Sequence, residues 1–313
     1  MTPLHHATDR IATVRTRDGA ELRVHTRGPE NAPLTVVLAH GWALPSDIWR
    51  PQVSRLTSDS DRVVRTVRFD QRGHGGSTRG TRPLGIDLLG EDLARVLDTH
   101  APTGPVVLGG HSLGGMAVMA LAGARPRLFE ERVAGTLLVA ASAGDLAPDR
   151  PGIPLRARVA ARGGRAAMRL LSCLPNGVDR VRGLVPPHLG ITRAAVRRTV
   201  FGPDADPTRV RECAELIRGT PTETITGLCE PLMRLDMTER LGALRDVPVT
   251  IIAGGRDRMV PPRHARTLSR ALPGALLRIL PQHGHMLTLE APEVVTEHLA
   301  ELCRVAAPDG GGL

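Results

Sequence analysis

The sequence predicts an α/β fold, a mostly parallel central sheet flanked by helices, and three observations carry that expectation. Short apolar runs rich in Val, Leu and Ile alternate with helix-forming runs along the chain, the pattern of strands joined by helical crossovers. The runs are continuously apolar, as strands covered on both faces require. A glycine-rich turn, Gly109 to Gly115, joins one such run directly to a helical one.

Taken in order, Thr13-Val14-Arg15-Thr16-Arg17 and Glu21-Leu22-Arg23-Val24-His25 flank Asp18-Gly19, a hairpin signal for two opening antiparallel strands. Further strands are expected at 34–39, 62–69, 106–111, 136–142, 248–254 and 276–280, and helices at 46–57, 84–99, 113–124, 262–272 and 291–305. Pro105 to Ala124 carries no charged residue for twenty positions, long enough for a membrane span. Five glycines, His111 and Ser112 interrupt it, so a strand plus a buried helix is the expectation and no transmembrane segment. About a hundred residues separate the strands ending at 142 and starting at 248, far more than one crossover needs. The expected division is a core of 10–144 and 236–305, an inserted helical cap of 145–235 over the site, and a tail of 306–313.

The chemistry centres on Gly110-His111-Ser112-Leu113-Gly114, a G-x-S-x-G pattern between strand and helix. A serine there sits on a strained turn above the sheet edge, and the flanking glycines leave room for the turn. A serine hydroxyl is a weak nucleophile and needs a base, which in turn needs an acid to orient it. Asp257 follows the strand Val249–Gly254, and His285 follows the strand Leu276–Leu280. The order Ser112, Asp257, His285 is the chain order of a triad built on such a sheet. His283 competes with His285 as base, and Asp145, beyond the strand near 136–142, is an alternative acid. Trp42, in the His40-Gly41-Trp42 turn after the strand at 34–39, and Leu113 have backbone amides placed to hold an oxyanion. One such donor is worth roughly 3 kcal/mol of barrier.

Together His40-Gly41-Trp42, Asp70-Gln71-Arg72-Gly73-His74-Gly75-Gly76-Ser77, Gly110 to Gly115, Gly255-Arg256-Asp257, and Gly284-His285 with Glu290-x-Pro292 make the chain resemble the α/β-hydrolase superfamily from about residue 10 to 305. The resemblance implies nucleophile Ser112, base His285, acid Asp257 and oxyanion amides at Trp42 and Leu113, with no metal and no organic cofactor. The Gly-His pair followed by Glu and Pro matches at His285 rather than His283. It makes Asp70 to Ser77 a structural loop, with no catalytic part for His74.

Composition narrows the remaining classes. With 313 residues and 41% apolar content the chain is an ordinary globular protein. All 41 basic residues are arginine and the net charge is +9, yet tyrosine is absent and only two tryptophans and three phenylalanines occur. That scarcity of stacking residues argues against nucleic acid as a partner. Cys173, Cys213, Cys229 and Cys303 are widely spaced and residues 1–33 hold no apolar signal-type run, so a cytoplasmic protein with reduced thiols is expected. Charge concentrates in the cap, where residues 150–200 hold eleven arginines and one acid, Asp179, so the rest of the chain sums to −1. Arg158, Arg162, Arg165 and Arg169 share one helical face, and Leu155, Val159, Ala166 and Leu170 an adjacent one. Two readings stand: a solvated face, or peripheral contact with anionic lipid or a charged substrate.

The expected activity is a lipase-like serine esterase, cleaving an apolar carboxylic ester of small-molecule size through an acyl-enzyme. Thioester, lactone or carbon–carbon hydrolysis and perhydrolysis with the same triad are alternatives, as is a non-catalytic binding protein on the same scaffold.

Overall fold

A computed structural model describes residues 9–58, 63–147, 155–184 and 190–306. Eight strands form one sheet: β1 Arg10–Arg15, β2 Glu21–Arg27, β3 Leu34–Ala39, β4 Val64–Phe69, β5 Val106–His111, β6 Val133–Val139, β7 Val249–Gly254 and β8 Leu276–Leu280. Their spatial order is β1-β2-β4-β3-β5-β6-β7-β8. β1–β2 and β2–β4 pair antiparallel and every later pair is parallel. The central strands β3, β5 and β7 are buried at every position, which is why their sequences run apolar without alternation.

The core helices are α1 Arg50–Ser58, α2 Ile86–His100, α3 Leu113–Ala124 and α4 Pro126–Arg132, with α10 Pro262–Ala271, α11 Leu287–Glu290 and α12 Pro292–Ala306 after the insertion. Helices α2, α3 and α10 bury their apolar sides on one face of the sheet, α1 and α12 on the other. The uncharged stretch from Pro105 is β5 followed by the buried helix α3, and no helix among the described residues is long and apolar enough to cross a membrane.

Three expectations need correction. β1 runs Arg10–Arg15, not 13–17, because Thr16 already closes the turn, its N–H donating to Ala20 O at 2.9 Å and its carbonyl accepting from Gly19. β6 starts and ends three residues early: α4, which carried no clear periodicity, delivers the chain at Val133, and Ala140 leaves the extended region at φ +51°. The helix expected at 46–57 opens with a 3₁₀ turn, Ser46–Trp49, before α1.

Between β6 and β7 lie α5 Leu155–Cys173, α6 Pro175–Leu184, α7 Ile191–Val200, α8 Pro207–Arg218 and α9 Thr222–Met233. The chain leaving β6 and the chain returning to β7 meet at an antiparallel bridge between Gly144 and Asp236, with Met237 N–H donating to Ala143 O at 2.6 Å. Val196, Val200, Phe201, Val210 and Cys213 of the insertion join the same apolar cluster as Leu280 and Met286 of the core. The side chains of Leu155, Arg158, Val159 and Arg165 lie outside the described residues, as does the tail after Ala306. Arg162, Ala166, Arg169 and Leu170 are exposed.

One buried charge cluster ties the loop after β4 to the rest. Arg72, wholly buried, donates to both oxygens of Asp92 on α2 at 2.5 and 2.7 Å and to both oxygens of Asp18 in the β1–β2 turn at 2.8 and 3.2 Å. Removing one partner of such a cluster leaves an uncompensated charge in a low-dielectric interior. Arg72→Met is therefore expected to destabilise the protein by about 3–5 kcal/mol in urea unfolding. Adding Asp92→Asn and Asp18→Asn to the same variant should recover a large part of that loss.

Candidate active site

The site stands at the carboxyl ends of β3, β5, β7 and β8, where an open parallel sheet offers a crevice. Ser112 follows β5 with φ +52° and ψ −113°, a conformation that strains any residue with a side chain. Its N–H donates to Val139 O at 2.8 Å and its carbonyl accepts from Met116 at 3.2 Å, so strand β6 and helix α3 grip the turn from both sides. A Cβ on Gly110 would lie 2.5 Å from Gly115 Cα, and one on Gly114 would lie 2.2 Å from Ala39 O. The two glycines of the motif are thus required by backbone that passes too close for any side chain.

His285 and Asp257 arrive from the neighbouring strand ends. Asp257 Oδ1 accepts the N–H groups of Met259 and Val260, each at 2.8 Å, which turns Oδ2 toward His285 Nδ1 at 2.7 Å. A carboxylate only accepts, so Nδ1 carries the proton and Nε2 the lone pair. That Nε2 lies 3.0 Å from Ser112 Oγ, which donates to it. The hydroxyl, imidazole and carboxylate named from the sequence therefore form one hydrogen-bonded chain. His283 is not part of it, and the carboxylate on the imidazole is that of Asp257; Asp145 lies in the turn after β6 with φ +65°. A different serine–histidine contact, Ser142 Oγ to His264 Nδ1 at 3.0 Å, has another character. The Ser142 hydroxyl donates to Gly144 O at 2.5 Å, so the imidazole is left to donate and cannot act as its base.

Trp42 and Leu113 lie on adjoining segments, because β3 pairs directly with β5. Leu113 opens α3, and the first amides of a helix have no partner within it. The turn after β3 is held from behind. Gln71 donates its N–H to His40 Nε2 at 2.8 Å and its side-chain amide to His40 O at 2.6 Å, while His40 Nδ1 donates to Gly41 O at 2.8 Å. Ala43, at φ +60°, donates its N–H to His74 Nε2 at 3.2 Å. The loop from Asp70 to Ser77 is thus structural, and its part is to shape the turn that carries Trp42.

Sequence reasoning missed two supports. His111, between the glycine and the serine of the motif, is fully buried and donates Nε2–H to the carbonyl of His285 at 3.0 Å. Its Nδ1 is buried without a hydrogen-bond partner, at the spot where a Cβ on Gly41 would sit 2.6 Å away. Glu290 accepts the N–H groups of Gly202 at 2.7 Å, Gly284 at 3.0 Å and Met286 at 3.1 Å, fixing the loop that carries His285. The Glu-x-Pro motif pointed to Glu290, but no local signal marked what it holds.

The chain is similar to known proteins over most of its length. Residues 36–298 match the model of the Alpha/beta hydrolase family. The chain belongs to that family. It is an enzyme of the family's esterase type. Among its relatives is a pimeloyl-[acyl-carrier protein] methyl ester esterase of Stenotrophomonas maltophilia, 28% identical over 288 residues, which cover 91% of this chain and 97% of the relative. Among solved structures it is similar to a thermophilic esterase from Thermogutta terrifontis, with 25% identity, a TM-score of 0.71, and coverage of 96% of this chain and 99% of the other. The enol-lactonase from Burkholderia xenovorans shares the fold at 22% identity and a TM-score of 0.72, covering 94% and 99%.

Burial sets the charge state around the Asp257–His285–Ser112 hydrogen-bonded chain. Burial, reinforced by nearby His40, holds His74 down to about 3, and burial, reinforced by His285, does the same to His111. Both are neutral in the folded protein, whereas an unfolded chain protonates them near the ordinary 6.5. Their contribution to stability is therefore complete above pH 6.5 and is lost as pH falls toward 3. We expect urea midpoints to drop through that window. His111→Gln, which keeps a donor but cannot protonate there, should flatten the slope by up to about 1.4 kcal/mol per pH unit.

Proposed function

We propose that this protein is a serine hydrolase that cleaves a carboxylic ester through an acyl-enzyme, with Ser112 as nucleophile, His285 as base and Asp257 as acid. The observation that carries the reading is the chain Asp257 Oδ2, His285 Nδ1, His285 Nε2, Ser112 Oγ, with spacings of 2.7 and 3.0 Å and a tautomer set by the carboxylate. Ser112 Oγ attacks the ester carbonyl as its proton passes to His285 Nε2. Asp257 stabilises the imidazolium, and the Trp42 and Leu113 amides receive the oxyanion. His285 returns the proton to the leaving alcohol, then takes one from the water that attacks the acyl group, and gives it back to Ser112 Oγ as the Oγ–acyl bond breaks and the carboxylic acid leaves. Each step uses groups of this chain alone.

The insertion, taken as residues 145–235, serves as the cap that covers the crevice and shapes the acyl pocket. An ester substrate is favoured by the names of the similar Stenotrophomonas maltophilia and Thermogutta terrifontis proteins, both esterases. The molecule acted on is then a small ester, and the site works without transfer of anything but the acyl group and protons.

Fluorophosphonate labelling tests the nucleophile. The wild-type protein should be modified and Ser112→Ala should not; an unlabelled wild type, as expected of a binding protein on this scaffold, would end the proposal. Across p-nitrophenyl esters of graded chain length, Asp257→Asn should lower kcat by roughly 10⁴, because the imidazole then takes the wrong tautomer. Turnover of lactones or thioesters with no turnover of esters would move the substrate class while leaving the triad in place.

A further inference from the structure

A helix leaves its last carbonyls without partners of its own, and α7 finds partners for them in the core. Arg258, in the loop after β7, donates from its guanidinium to Arg198 O. His285 and Met286, in the loop after β8, donate their amides to Val200 O at 2.7 and 3.2 Å. The loops that cap α7 are thus the two that carry Asp257 and His285. Arg258 sits inside the turn whose Met259 and Val260 amides fix Asp257 Oδ1, so an anchored Arg258 also steadies the direction of Oδ2.

Glu290 closes the junction just beyond the helix end. Its Oε2 accepts the N–H groups of Gly202 at 2.7 Å and Gly284 at 3.0 Å, and its Oε1 accepts that of Met286 at 3.1 Å. Gly202 belongs to the insertion, while Gly284 and Met286 flank His285. A Cβ on Gly284 would lie 2.5 Å from Phe201 C, so the two backbones pass in contact there. A carboxylate accepts at both oxygens, whereas a glutamine would turn an NH₂ group against one of these amides.

We propose that the end of α7, residues 198–202, is the element that positions Asp257 and His285 together, with Arg258 and Glu290 as positioning residues. The insertion then does more than cover the crevice. It sets the alignment of Asp257 with His285 that proton transfer from Ser112 needs, and a misplacement of about 1 Å in such an alignment costs roughly a hundredfold in rate. The inference rests on the serine hydrolase reading, since it assigns a part in that reaction. Arg258 and Glu290 both act through the loops they hold, one fastened to the helix end by its side chain and the other by main-chain amides.

Steady-state turnover of a p-nitrophenyl ester by the full chain tests it, with rates expressed per serine labelled by a fluorophosphonate at completion. Glu290→Gln should lower kcat by about ten- to a hundredfold, with KM within about twofold of the wild type. Arg258→Met should lower kcat severalfold, again without a matching change in KM, and Arg258→Lys, which keeps a donor for Arg198 O, should recover most of that loss. The double variant Glu290→Gln/Arg258→Met should lose less than the product of the two single losses, because both anchor one element. Far-UV circular dichroism should match the wild type in each case. If Glu290→Gln does not fold, Glu290→Asp, one methylene short of Gly202, carries the same expectation. Wild-type kcat in both single variants overturns the proposal, as does a loss carried by KM alone or a lower urea midpoint with kcat per labelled serine unchanged. Losses that multiply in the double variant overturn the shared anchor. A wild type that the fluorophosphonate does not label removes the hydrolase reading itself, whereas a labelled, active wild type with unaffected variants removes this inference alone.

Discussion

The backbone of Ser112 is the constraint on which the rest of the site depends. At φ +52° and ψ −113° it costs of order 1–3 kcal/mol, and the surrounding structure over-determines it. β5 is paired on both edges, Val139 O holds the serine amide, and α3 begins at the next residue. The glycines on either side are closed in by Gly115 and Ala39, so the turn has no slack in which to relax. The strain is what aims Oγ outward at the height where the strand ends of β7 and β8 deliver Asp257 and His285. A relaxed turn would point the hydroxyl elsewhere, and two well-made loops would then have nothing to act on.

A second rule governs the electrostatics. Four buried histidines, His40, His74, His111 and His285, lie around the crevice, and only His285 has a carboxylate at hydrogen-bond distance. The other three are bonded to backbone carbonyls and amides, and burial holds each below its ordinary value. The imidazoles of His111 and His285 have centroids 5.0 Å apart. Two unit charges at that distance repel by about 3 kcal/mol at an effective dielectric of 20. Neutrality of His111 thus leaves His285 with no like charge beside it.

Much of this was legible in the sequence, for identifiable reasons. β3, β5 and β7 are continuous apolar runs bounded by turn residues, and burial on both faces leaves no other pattern for them. Ser112 and Asp257 each follow such a run, whereas His285 follows β8, an edge strand that Arg278 interrupts and that is buried at Leu280 alone. The shifted edge of β6 was hidden because Ala140 and Ala141 are as apolar as the strand; a backbone turn, not a change in hydropathy, ends it. The supports were hidden for another reason. His111 reaches a carbonyl 174 residues away, and Glu290 reaches Gly202 across 88 residues. Both bond to main-chain atoms, which every residue has, so no residue type on the far side records the contact. The periodicity of α5 announced an amphipathic helix, but a period says which residues share a face and not which way that face looks.

The insertion is attached in two physically different ways. Its inner part is fixed by burial and by bonds to the loops that form the site. Val200 O, at the end of α7, accepts the amides of His285 at 2.7 Å and Met286 at 3.2 Å, and Thr224 on α9 donates Oγ1–H to Gly73 O at 3.0 Å. Phe201, Val210 and Leu228 are buried in the core clusters, so moving α7, α8 or α9 would move His285 and the loop behind Trp42. The outer pair, α5 and α6, has no fully buried side chain among its described residues. A polar latch holds α6 instead. Arg182 donates to the carbonyls of Ile217, Arg218 and Thr220 at the end of α8, while Asp179 accepts the Thr222 amide at the start of α9. Each charge meets the helix end of opposite polarity, so the ion pair and both helix dipoles reinforce one another. Such a latch is strong where it is shielded and weak against competing ions, whereas the buried attachment responds to neither salt nor anions. The half of the insertion that shapes the site is thereby decoupled from the half that faces outward, and a change in what α6 touches need not disturb the alignment of Ser112 with His285.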